Sequence, residues 1–308
     1  MKKTNLVLMI VMLALLMVAC DSEESELTES GETIEVVHEL GTTQVPVNPE
    51  TVVVFDFGTL DTLNYFDVEV AALPQINVPS YLSQYESDQY NNVGTLFEPD
   101  FERLANLNPD LIIISGRTQE SYQDLSELAP TIYLGIDNQN YLASFEENVT
   151  LLGDIFSKQE EADAALEQIN QAITELAEQA PEDKNGLIIL TNDGALSAYG
   201  PGSRFGLIHD EFGIPPAAVD IEEATHGQNI SFEYVANMNP DYLFVMDRNA
   251  VTGGEHDAST TIDNELVNQT TAVQEGQVIY LTPDYWYLSS GGVESVTQMI
   301  EEVRNGIE

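Results

Sequence analysis

The phrase "FERLANLNPDLIIISGR", residues 101–117, returns 131 positions later as "FEYVANMNPDYLFVMDR", residues 232–248. Eight of the 17 aligned positions are identical, among them the Asn-Pro-Asp triplet and the closing arginine. Each copy opens with a short helical pattern, stops at Asn-Pro-Asp and runs into a stretch of apolar residues, which reads as helix, turn and strand. A chain that writes this unit twice has two halves of the same construction. Ordinary stop chemistry accounts for the proline and the aspartate, but not for Arg117 and Arg248. Both arginines fall just past the carboxyl end of a predicted strand, which is where open α/β sheets place their ligand crevice.

The rest of the chain fits two such halves. "TVVVFDFGTLDTLNYF" (51–66) reads as a buried strand, a turn at Gly58 and a helix, and "PDLIIIS" (109–115) as a second strand. "GLIILTN" (186–192), "GSRFGLIHDEFG" (202–213), "PDYLFVM" (240–246) and "GQVIYLT" (276–282) supply a second set. Continuous apolar runs alternating with helical stretches predict mainly parallel sheets covered on both faces. Between the halves, residues 157–180 contain no Gly or Pro, and Ser157 with Glu160 has the form of a capping box. One uninterrupted helix of about 23 residues spans roughly 35 Å, a length suited to a strut between domains. A strut of this kind predicts small hinge motions between the halves. The 308 residues suffice for two domains.

The N-terminus has the charged and then apolar pattern of a secretory leader over residues 1–19, and "MVAC" places the single cysteine, Cys20, where a bacterial lipobox would lipidate it, a plain signal peptide or an uncleaved anchor being the alternatives. A lone cysteine leaves no disulfide framework. Residues 20–33 are polar and acidic, as in a disordered tether. Nine Lys and Arg against 53 Asp and Glu give a net charge of −44, which disfavours nucleic acid and anionic lipid as partners and suits a saline or alkaline habitat.

In so acidic a chain the five arginines are informative. Arg117, Arg204 and Arg248 lie in loops or at element ends of the two halves. A surface ion pair is the plain alternative for any one of them, but jointly they predict a cleft for a multiply charged anion. The glycine-rich "GPGSRFG" lacks the lysine of a phosphate-binding loop, and Ser203 within it reads as a helix N-cap that positions Arg204. No nucleophile and base stand at supporting positions, so an enzyme is not expected.

Residues 34–308 resemble the iron-siderophore substrate-binding lipoproteins of bacterial ABC importers, in particular the branch for catecholate and petrobactin-type siderophores. The resemblance is carried by "VVVFDFGTLDTL", "NPDLIIISGR", "GPGSRFGLIHDEFG", "ATHGQNISFEYVANMNPDYLFVMDR" and "YWYLSSGG". It implies an α/β fold of class III: two Rossmann-like lobes, 34–156 and 181–308, joined by the helix 157–180. Arg117, Arg204 and Arg248 would form a cationic cleft floor. His226 and Tyr287 would complete the shell of an Fe(III) that arrives in its siderophore, with Tyr285 a rival for Tyr287 and a plain loop residue the alternative for His226. Glu102 and Glu233, second in each copy of the phrase, would dock a two-fold ABC permease.

On this reading the chain is a monomeric receptor, lipid-anchored on the outer face of the cytoplasmic membrane, with no resident cofactor. Its ligand is a ferric siderophore. A receptor for haem or cobalamin on the same fold, a metal-dependent hydrolase and a surface sensor are the alternatives. Tyr81, Tyr85 and Tyr90 are candidates for one cleft wall, with a solvated loop the equal alternative, and Trp286, the single tryptophan, adjoins Tyr287 in sequence.

Overall fold

The computed structural model describes residues 32–221 and 226–308. The leader, Cys20 and the tether up to residue 31 lie outside the described residues. An antiparallel hairpin, β1 (Thr33–His38) and β2 (Gly41–Pro46), precedes the first sheet. That sheet has the order β5-β4-β3-β6-β7, with β3 Val52–Val54, β4 Ala72–Leu73, β5 Asn91–Asn92, β6 Leu111–Ile114 and β7 Thr131–Tyr133, all parallel. The second has the order β10-β9-β8-β11-β12, with β8 Gly186–Asn192, β9 Ala195–Tyr199, β10 Gln228–Ile230, β11 Tyr242–Asp247 and β12 Val278–Leu281. The principal helices are α1 (Phe57–Tyr65), α2 (Phe101–Leu107), α3 (Tyr141–Ile155), α4 (Gln159–Gln179), α5 (Phe232–Met238) and α6 (Val293–Ile307).

The second sheet is mixed: β8, β11 and β12 are parallel, whereas β9 runs antiparallel to both its neighbours, β8 and β10. The cause is local. Asn192 pairs with Ala195 across the two-residue turn Asp193-Gly194, and both turn residues have positive φ, 47° and 81°. Asp-Gly in that conformation folds a strand straight back on itself.

The linker helix α4 runs unbroken, about 32 Å at 1.5 Å per residue. Its buried face is Ala162, Ala165, Ile169, Ile173 and Leu176, at helical spacing. The predicted capping box does not form. Ser157 takes a left-handed φ of 54° in the tight turn between α3 and α4, which is incompatible with the extended backbone of an N-cap, and its hydroxyl accepts from Asn48 Nδ2 instead. Helix α1 begins one residue before the expected turn at Gly58 and is capped by Asp56, whose Oδ2 accepts from Thr59 N at 2.7 Å.

The two copies of the phrase fold alike. Asp100 and Ser231 cap α2 and α5, and Asn108 and Asn239 end them in the left-handed conformation. The aspartate of each triplet then crosses to the adjacent strand: Asp110 Oδ2 accepts from Thr51 N at 2.8 Å, and Asp241 Oδ2 from Asn185 N at 2.9 Å. These bonds pin β6 to the start of β3 and β11 to the start of β8. The phrase was therefore repeated because each lobe fixes its two central strands by the same device.

Candidate functional site

With the central strands pinned, the ends of the two phrases are aimed at one place. Arg117 follows β6 and Arg248 follows β11, and from opposite lobes both reach Tyr287. Arg117 Nη2 donates to the Tyr287 carbonyl at 2.7 Å, and its Nη1 to the Leu288 carbonyl at 3.4 Å. Arg248 donates through Nε to the Tyr287 hydroxyl at 3.0 Å and through Nη1 to Asn192 Oδ1 at 3.0 Å. Arg204 arrives from the loop after β9, donates to the same Tyr287 carbonyl at 2.5 Å and stacks over the Tyr287 ring at 4.2 Å; Arg117 lies 5.8 Å from that ring. Tyr287 itself rides on a single π-helical turn, Asp284–Leu288, between β12 and α6.

The ion pairs among the described residues involve Arg103, Lys158 and Arg304, and none of the three cleft arginines. Among 53 acids, that leaves three guanidiniums converging without a carboxylate. The electrostatic consequence is visible in the acidities. Burial, and then the charge of Arg117, lower Arg204 from 12.5 to about 10. Burial works to raise the Tyr287 phenol, but the bond from Arg248 and the charges of Arg204, Arg248 and Arg117 outweigh it and leave the phenol below its ordinary value. Such a group ionises more readily and presents a harder oxygen to a metal ion.

Two cavities meet at this cluster. One of about 460 Å³ is lined by Arg117, Arg204, His226 and Tyr287 together with Phe97 and Ser290. The other, of about 320 Å³, is lined by Arg204, His226, Tyr287, Arg248, Asn192 and Tyr199. His226 is exposed in the turn before β10 and belongs to both, so the structure brings all five expected ligand residues to one cleft. Glu102 and Glu233 lie elsewhere, exposed in the first turns of α2 and α5. The bond from Ser231 holds the Glu233 carboxyl below its usual range.

Several sequence expectations are corrected. Ser203 caps no helix: its hydroxyl donates to the Gly200 carbonyl at 2.5 Å, and the Arg204 loop is closed by Gly202 N donating to Asp210 Oδ2 at 2.7 Å. Tyr81, Tyr85 and Tyr90 line neither cavity; Tyr85 is buried, and Tyr81 bonds to Asp61. Trp286 is fully buried, lines neither cavity, meets Phe212 edge-on and donates to Glu302. Tyr285 stacks on Tyr81 and lines neither cavity. Sequence reasoning missed Asn192, which orients Arg248. Its one signal was its position immediately before the Asp-Gly hairpin turn.

A family model described as periplasmic binding protein matches residues 52–285. Over 316 aligned residues, spanning the whole of both chains, the sequence is 46% identical to the petrobactin-binding protein YclQ of Bacillus subtilis. The crystal structure of YclQ matches with a TM-score of 0.87 at 49% identity, covering 90% of this chain and 99% of the other. The periplasmic catecholate-siderophore binding protein VctP of Vibrio cholerae matches with a TM-score of 0.85 at 34% identity, over 89% of this chain and all of the other. The two sheets and the long helix between them agree with these matches, and the chain belongs to the periplasmic binding protein family.

Proposed function

We propose that this protein captures a ferric catecholate-type siderophore, petrobactin-like, outside the cytoplasmic membrane and delivers it to an ABC permease. The observation that carries the reading is the cluster of Arg117, Arg204 and Arg248, three guanidiniums without carboxylate partners around one tyrosine. Two cations donating to a single carbonyl oxygen repel each other until an anion enters. A ferric catecholate supplies both negative charge and aromatic faces, and guanidinium recognises both.

Tyr287 and His226 act in this reading as protein ligands to an iron that its siderophore leaves partly open. Among the described residues no three His, Cys, Asp or Glu side chains are grouped to hold a metal. Iron in this reading is cargo, brought in already chelated. The binding role needs no catalytic step, so the protein is not an enzyme and has no resident cofactor. Two lobes, 34–156 and 181–308, close on the ligand about the helix, Cys20 carries the lipid anchor and a monomer suffices. Glu102 and Glu233 dock the two halves of the permease. The names of YclQ and VctP, petrobactin-binding and catecholate-siderophore binding, support the ligand class.

The test is a titration of the mature protein with ferric catecholate, ferric hydroxamate, haem and cobalamin, following Trp286 fluorescence. Saturable quenching by ferric catecholates alone, weakened by Arg117→Ala and Tyr287→Phe, is expected. Tight binding of haem or cobalamin instead would keep the fold and overturn the ligand. For docking, Glu102→Ala with Glu233→Ala abolishes uptake and leaves binding intact; unchanged uptake would remove both residues from the permease interface.

A further inference from the structure

Asp61 is the one carboxylate among the buried residues described, in a chain with 53 acids. It lies on α1 of the N-terminal lobe, and two of its three donors lie beyond Tyr287 in the chain. Its Oδ1 accepts from Glu294 N and its Oδ2 from Ser295 N, each at 2.8 Å, at the start of α6. Its Oδ2 also accepts from Tyr81 Oη at 2.6 Å, and that phenol lies 2.7 Å from Ser289 Oγ. Ser289 Oγ donates in turn to the Asp284 carbonyl, and Ser295 Oγ to the Ser289 carbonyl. Beside them Ser80 N donates to Asp284 Oδ2 at 3.0 Å. Residues of the N-terminal lobe therefore hold the chain at 284, 289, 294 and 295, the two flanks of the turn that carries Tyr287.

The approach is close enough to exclude side chains. A Cβ at Gly292 would stand 2.3 Å from Asp61 Cγ, and one at Gly58 would stand 3.2 Å from the carbonyls of Ser289 and Ser290. Gly292 leaves room for the Asp61 side chain, and Gly58 lets the α1 backbone come up against the carbonyls of the segment after Tyr287. A buried carboxylate is a poor source of net stability, and burial pushes this one up to about 6 against the bonds from Tyr81, Glu294 and Ser295. What it supplies is one fixed geometry.

We infer that Asp61 is a positioning residue: through Tyr81 and the first turn of α6 it fastens the Tyr287 segment to the N-terminal lobe. The inference rests on the reading of Tyr287 as a ligand contact. Tyr287 is then held by both lobes, by Asp61, Ser80, Tyr81 and Arg117 on one side and by Trp286 packed near Phe212 on the other.

A double-mutant cycle tests this, with ferric tris-catecholate as probe. Tyr81→Phe and Asp61→Asn are each measured in the wild-type and Tyr287→Phe backgrounds, with melting temperatures alongside. Each variant is expected to weaken binding about fivefold or more when Tyr287 is present and by less than about twofold in the Tyr287→Phe background, while its effect on melting is the same in both. Equal losses of affinity in the two backgrounds would overturn the positioning role. No effect of Tyr287→Phe alone would overturn the ligand role of Tyr287, and this inference with it. Tyr81→Phe removes one hydroxyl and carries the test if Asp61→Asn does not fold.

Discussion

Replacing Arg204 with methionine should make the unliganded protein no less stable and the liganded one weaker. The fall of Arg204 from 12.5 to about 10 corresponds to about 3 kcal/mol at 1.36 kcal/mol per pH unit, the cost of keeping this cation charged in the fold. Part of the side chain remains open to the cleft, so solvent screening reduces that to about 1–2 kcal/mol. The sign follows from proton linkage. The group is more acidic folded than unfolded, so the penalty is complete below about pH 10 and is relieved as pH rises from there toward 12.5. At pH 7 all of it applies. The Tyr287 carbonyl keeps its bond from Arg117, so little is left unpaired by the substitution. Arg204→Met is therefore expected to leave the melting temperature unchanged or raise it by about 2–4 °C. Affinity for ferric tris-catecholate should fall about 10- to 100-fold, the value of one charge-assisted contact. Thermal unfolding with and without the ferric complex measures both. A lower melting temperature in the unliganded variant, or an unchanged affinity, would refute the argument that Arg204 costs the fold stability and serves binding.

Asp241→Ala removes a charged acceptor from the buried start of β8 and should cost about 1.5–3 kcal/mol, with Asp110→Ala costing a similar amount in the other lobe. Equal melting temperatures for variant and wild type would show that the aspartates do not pin the strands. The described residues hold only three ion pairs, each between residues three apart, against a net charge of −44. Raising NaCl from about 0.01 M to 1 M shortens the screening length from about 30 Å to 3 Å and should raise the melting temperature, and a flat salt profile would contradict that.

The parts of the fold set by periodicity were legible in the sequence, and the parts set by long-range packing were not. β8 occupies the apolar run 186–192 that predicts it, because a strand buried on both faces leaves an uninterrupted hydrophobic signature. The reversal at Asp193-Gly194 was written as plainly, yet it was lost beside the expectation of parallel strands. Ser157 and Ser203 failed as caps because a hydroxyl near a helix start is only an opportunity, and the backbone conformation decides whether it is used. Arg117 and Arg248 were found because the repeat marked them. Asp61 was not, since an acid inside "FGTLDTLNY" has no partner within its own helix: one donor, Tyr81, stands 20 positions on, and the other two come from residues more than 200 positions away.

Each copy of the repeated phrase has an exposed glutamate near its start and a cleft arginine at its end, with a pinned helix-turn-strand between them. A lobe that moves as a body cannot shift one without shifting the other. Any rotation that changes the gap between Arg117 and Arg248 also resets the span between Glu102 and Glu233. In the proposed reading the molecule works as a pair of calipers, whose jaws would close on what is held inside while the setting is read from the outside.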